Sequence, residues 1–180
     1  MRARLSLLTF ALGLAGLLSP SVAHAYERQQ HLGLDVGGAY MTTTGTGKLG
    51  LDLSLHYTYG LSDAFNLVAD AGWAGFTSSG ATGPQPSTIG YGGVGVLYVF
   101  DVLRWVPYAG ALVGPAVFGG GATASTFVTP DVQIAAGLDY AFDRTWSAGV
   151  AYRQHLFLGK TGDYPEYSSL ALRVEYVWGW

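Results

Sequence analysis

From residue 30 onward, apolar and polar positions alternate with a period of two rather than 3.6, the signature of β-strands. Leu49, Leu51, Leu53, Leu55, Tyr57 and Tyr59 alternate with Gly50, Asp52, Ser54, His56 and Thr58. The final segment repeats the pattern: Leu170, Leu172, Val174, Tyr176, Trp178 and Trp180 alternate with Ala171, Arg173, Glu175, Val177 and Gly179. Alternate side chains of a strand point to opposite faces, so each segment has one apolar face and one small or charged face. The same reading predicts eight strands, near 30–43, 48–60, 64–77, 88–100, 105–118, 127–142, 145–157 and 167–180. Glycines at 92, 93, 95, 110 and 114 blur the faces of the fourth and fifth.

The links between these segments alternate in length. Leu61–Asp63, Asp101–Arg104 and Asp143–Arg144 are tight turns, whereas Ser78–Ser87, Gly119–Ser125 and Leu158–Glu166 are long and rich in small residues; only Thr44–Gly47 breaks the rule. Short turns at one end and longer loops at the other suit an outer-membrane barrel. Tyr57, Tyr59, Phe65, Tyr98, Phe100, Trp105, Tyr108, Tyr140, Phe142, Trp146, Trp178 and Trp180 cluster at the short-turn end. They are expected to form an interfacial girdle, where amphipathic rings favour the headgroup layer. Tyr40, Trp73, Tyr91, Phe118, Phe127 and Tyr152 are expected to form the upper one.

Composition sharpens the picture. Charged residues are 12% and apolar residues 49% of the chain, whereas a soluble surface wants about 25–35% charge. No mature segment is apolar for 18 consecutive residues, so the excess does not come from a spanning helix. A closed barrel hides an interrupted apolar pattern in lipid, because every backbone group pairs with a neighbouring strand. The expected fold is therefore all-β, an eight-stranded antiparallel up-and-down transmembrane β-barrel. A soluble barrel with the apolar face inside is the alternative.

The N-terminus predicts export. Arg2 and Arg4 precede an apolar run from Leu5 to Leu18, then Pro20 and the small-x-small site Ala23-His24-Ala25. This is a secretory signal pattern, and the run falls short of the roughly 20 residues of a spanning helix. Residues 1–25 are read as signal peptide and 26–180 as the barrel domain, bound for the bacterial outer membrane. The mature part keeps seven basic against twelve acidic residues, a net charge of −5, which argues against nucleic-acid binding. Without cysteine there is neither a disulfide framework nor a thiolate metal site.

At this point the chain resembles the small OmpA/OmpX-type outer-membrane barrel superfamily: an export signal, eight alternating segments and the terminal Leu172-x-Val174-x-Tyr176-x-Trp178-x-Trp180. The resemblance implies that these five residues form a C-terminal insertion signal, with the barrel insertion machinery as partner. Trp180 stands where the commoner terminal residue is Phe. Lipid is the other expected partner, and a monomer the expected state.

Opposite the apolar faces stand Asp35, Asp52, Asp70, Asp139, Glu175, Arg153, Arg173, His56 and His155. Because Arg or Lys on the lipid face costs roughly 2–4 kcal/mol at the midplane, they are assigned to the lumen. An eight-strand barrel is only wide enough for side chains to fill it, so the first expectation is a structural charge network in a plugged core. A narrow channel for ions or small apolar molecules is the second, and five carboxylates against two arginines would make an ion conduit cation-preferring. A lipid-modifying enzyme is the third. His155 with Ser168, Ser169 and Glu166 is its only candidate centre, and Phe157 breaks the His-x-Ser arrangement of lipid A deacylases. No enzyme activity and no cofactor are expected. His31 and His56 are read toward opposite ends of adjacent strands, which argues against a shared metal ion. Gly90–Gly95 matches G-x-G-x-x-G but lacks the following helix that a dinucleotide site needs. Gly33-x-x-x-Gly37 and Gly110-x-x-x-Gly114 carry no packing meaning in strands.

Overall fold

The computed structural model describes residues 27–43, 46–77, 86–100, 104–120, 126–159, 162 and 166–179. The expected signal segment 1–25 and Trp180 lie outside them. Eight strands follow in order: β1 Gln30–Thr43, β2 Thr46–Gly60, β3 Phe65–Phe76, β4 Thr88–Val99, β5 Trp105–Gly119, β6 Phe127–Ala141, β7 Trp146–Phe157 and β8 Glu166–Trp178. Each pairs antiparallel with its sequence neighbour, and β1 pairs with β8 to close the barrel. At 12–15 residues the strands exceed the roughly 9–11 that cross a hydrocarbon core at a tilt.

The alternation decides the faces. Leu51 and Leu172 are each 71% exposed, and Leu34, Leu53, Leu55, Val150, Leu170 and Val174 point outward with them. Asp35, Asp52, Asp70, Asp131, Asp139 and Glu175 are buried inside. An apolar exterior around a charged interior is the membrane arrangement, and excludes the soluble barrel with an apolar interior.

The turns follow from local chemistry. Asp143 Oδ1 accepts from Thr145 N at 2.6 Å and Trp146 N at 2.9 Å; Ser62 Oγ accepts from Phe65 N at 3.1 Å. Short polar side chains that bind backbone N–H groups two or three residues on stabilise such turns.

In β4 and β5 the two faces differ little in polarity. Their inward residues include Ile89, Leu97, Val99, Leu112, Ala116 and Phe118, so this side of the lumen is apolar, while Val94, Val96, Val113 and Val117 face outward. With apolar groups on both faces, alternation carries no contrast. The β4–β5 ladder also lapses between Tyr91↔Ala116 and Val94↔Val113, with the register kept on either side. Pro115 stands in the gap and has no N–H to donate. Here Gly114 lies so near β4 that a Cβ would collide with the Gly92 carbonyl and Gly93 Cα. Gly114→Ala is expected to destabilise the barrel by about 1–3 kcal/mol, read as a lower urea midpoint for unfolding from lipid vesicles.

Four of the girdle assignments are corrected. Tyr91, Tyr108 and Phe118 are buried in the lumen, and Phe127 stacks on Phe118 at 4.8 Å between ring centroids. Each shares inward parity with a lumen residue of its own strand, so proximity to a strand end does not decide its direction. Tyr40, Trp73, Tyr98, Phe100, Trp105, Phe142, Trp146 and Tyr152 face outward.

Candidate functional site: the filled lumen

The lumen is layered, and cross-strand register builds each layer. In the middle, Asp35 on β1 stands opposite Arg173 on β8 and Ser54 on β2. Arg173 Nε donates to Asp35 Oδ1 at 2.9 Å, Arg153 Nη2 to Oδ2 at 2.7 Å, and Ser54 Oγ to Oδ2 at 3.2 Å. Two guanidinium groups thus converge on one carboxylate with 0% exposure. Such charge-assisted bonds are the stronger kind. Arg153 Nε also lies 3.7 Å from Asp70 Oδ2.

Toward the short turns, Glu175 gathers donors from three strands. His56 Nε2 lies 2.7 Å from Oε1, His31 Nδ1 3.3 Å from Oε2, and Ser147 Oγ donates to Oε2 at 3.1 Å. Gly33 pairs with both His56 and Glu175, and a Cβ there would strike the His56 ring. Glycine therefore makes the room this cluster occupies. His31 and His56 share the same carboxylate, which corrects the reading of opposite ends. Antiparallel pairing brings the start of β1 beside the end of β2. Among the described residues no group of three or more His, Cys, Asp or Glu side chains is arranged to hold a metal ion. Arg173 sits over the Tyr108 ring at 4.8 Å, a cation–π contact, and its Nη1 lies 3.8 Å from Asp139 Oδ2.

Toward the loops, neutral hydroxyls replace cations. Tyr91 and Tyr167 donate to Asp52 Oδ2 at 2.9 and 2.7 Å. His155 Nδ1 lies 2.7 Å from Asp131 Oδ2, a pairing missed in the sequence although Asp131 shares the parity of Asp139. The acid of His155 is thus Asp131, not Glu166, whose Oε2 accepts from Thr42 Oγ1 at 3.5 Å. Ser168 pairs with Gln154, and Ser169 with Arg153. The Ser/His/Glu grouping considered for catalysis is not assembled.

Above this level the lumen turns apolar. Met41, Phe76, Ile89, Phe118, Phe157 and Tyr167 form one buried cluster with Ala39, Ala74 and Ala116. Phe118 meets Phe157 edge-on at 4.8 Å, and Phe157 stacks on Tyr167 at 6.0 Å. At the loop end Lys48 is buried, with its Nζ donating to the Pro86 carbonyl at 3.4 Å. Gly90–Gly95 lies wholly within β4, with no helix to cap a phosphate. Leu172, Val174 and Tyr176 of the terminal motif point outward, and Trp178 is half-buried.

No protein-family model and no curated protein matches the chain in sequence. Solved structures match in fold. The chain is similar to Neisserial surface protein A, with a TM-score of 0.66 at 16% identity over 82% of this chain and 96% of that one. It is similar to the N-terminal β-barrel domain of Pseudomonas aeruginosa OprF, at TM-score 0.59 and 16% identity over 84% and 98% of the two chains. The attachment invasion locus protein Ail of Yersinia pestis gives 0.56 and 17% over 84% and 99%. Apolar belt, enclosed charges and these likenesses agree: the chain has the fold of the small eight-stranded outer-membrane β-barrels.

Proposed function

We propose that this protein is a non-conducting barrel of the bacterial outer membrane, exported by residues 1–25, that stabilises the envelope and displays its loops. The observation carrying this reading is the apolar plug of Phe118, Phe157, Tyr167 and their neighbours, stacked above the charge network. Ions moving along the axis would have to cross both, and an apolar constriction resists wetting. Lipid is the partner of the outer face and the barrel works as a monomer. Leu172, Val174, Tyr176, Trp178 and Trp180 are its signal to the insertion machinery. The reading assigns no catalysis: among the described residues no hydrogen bond joins His155 to a serine, and Ser168 and Ser169 stand opposite Gln154 and Arg153.

Planar-bilayer recordings across a salt gradient test the proposal. The native chain is expected to give no stable conductance steps. The double variant Phe118→Ala with Phe157→Ala is expected to leak, and to prefer cations because carboxylates dominate the wall below. Steady steps from the native chain would overturn the plugged reading in favour of a narrow channel.

A further inference from the structure

The lumen does not fill evenly to both ends. Between the short turns it opens into a cavity of about 260 Å³ to which all eight strands contribute. That is smaller than the roughly 300–1,000 Å³ of drug-sized sites, so any occupant is small. Leu97, Val99, Val106 and Val177 give it apolar lining. Its polar lining includes Asn66, Tyr108 and Asp139, each almost wholly buried. Among the described residues, Asn66 Oδ1, Asp139 Oδ1 and the Tyr108 hydroxyl have no hydrogen-bond partner.

Buried polar atoms are nearly always satisfied, by protein, water or ligand. The charged neighbours show what kind of group is missing. Arg173 is engaged by Asp35 through Nε and Nη2, and Glu175 by His31, His56 and Ser147. Asp143 caps its own turn, and Arg144 is exposed at the mouth. Arg173 Nη1 makes no hydrogen bond but already lies 3.6 Å from Glu175 and 3.8 Å from Asp139; beside it remain a carboxylate oxygen, an amide oxygen and a hydroxyl, of which the first two can only accept. Among the described residues the one ion-pair approach to Asp139 within 4 Å is that of Arg173, at 3.8 Å. A ligand that complements this set donates hydrogen bonds, carries positive charge and has a short apolar stem.

We infer that the turn-end cavity is a binding site for a small organic ammonium ion. Its head is held by Asp139 and Asn66, and its stem lies against the valines. The site opens away from the plug, so occupancy does not require the barrel to conduct.

The test uses the mature barrel in detergent micelles with n-butylammonium chloride as probe, read by methyl NMR shifts of Val99 and Val106. Saturable shifts are expected with n-butylammonium and not with sodium chloride at equal ionic strength. n-Butanol and sodium butyrate are expected to bind at least tenfold more weakly. Asp139→Asn should raise the Kd for n-butylammonium at least tenfold while keeping the folded, heat-modifiable gel band. If that variant does not fold, Asn66→Leu carries the same expectation with Asp139 intact. Absence of saturable shifts, equal binding of butanol or butyrate, or an unchanged Kd in the folded variant would overturn the assignment.

Discussion

Asp35→Ala is expected to destabilise the folded barrel by about 3–5 kcal/mol, the cost of removing one partner from a buried ion pair. The magnitude follows from what is left behind. Arg153 and Arg173 both donate to this carboxylate and are themselves buried, so truncation leaves two guanidinium groups without their common acceptor. Their other acid contacts are longer, at 3.6–3.8 Å to Asp70, Asp139 and Glu175. Asp35→Asn retains one oxygen acceptor and should fall between native and alanine. Urea unfolding from lipid vesicles, followed by tryptophan fluorescence, gives the comparison. A midpoint for Asp35→Ala equal to the native value would mean that the network contributes nothing to stability.

Placing an arginine on the outer face should have an effect of similar size that depends on depth. Leu172 lies at the middle of β8, paired with Val36 and Val150, and is 71% exposed. Leu49 is also 71% exposed but lies near the loop end of β2. If lipid surrounds this belt, Leu172→Arg costs about 2–4 kcal/mol and Leu49→Arg about 0–1 kcal/mol. Equal accessibility with unequal cost is the mark of a hydrocarbon slab, since water would treat both positions alike. The same vesicle unfolding assay separates them. Two variants with native midpoints would remove the belt from the membrane.

These expectations draw on what the alternation made legible. In β2 and β8 a leucine-rich face opposes acids, arginine and histidine, so parity assigned Asp35, Asp52, Asp70, Asp139, Glu175, Arg153, Arg173, His56 and His155 to the face that is buried. The signal failed where one face did not contrast with the other. Leu97, Leu112 and Phe118 point inward beside outward valines, so an apolar residue on β4 or β5 says little about its direction. The aromatics divided along the same line. Trp105 faces out and Tyr108, three positions later, must face in, yet nearness to a turn suggested the girdle. Partner identity was harder still. That Asp35 meets Arg173, or that His31 and His56 share Glu175, depends on the β1–β8 register, and alternation fixes parity without fixing register.

The seam between β1 and β8 has a consequence for the life of the chain. Asp35 enters near the beginning of the polypeptide and waits 138 positions for Arg173. Without β8, a chain folded through β7 would lack the Arg173 partner of Asp35 and leave backbone groups unpaired along the margins of β1 and β7. Completion therefore rewards only the full-length product. A fragment ending before residue 166 has neither its closing margin nor one of the two arginines that quench Asp35. The ring is keyed by its own ends, and that key discriminates finished molecules from interrupted ones.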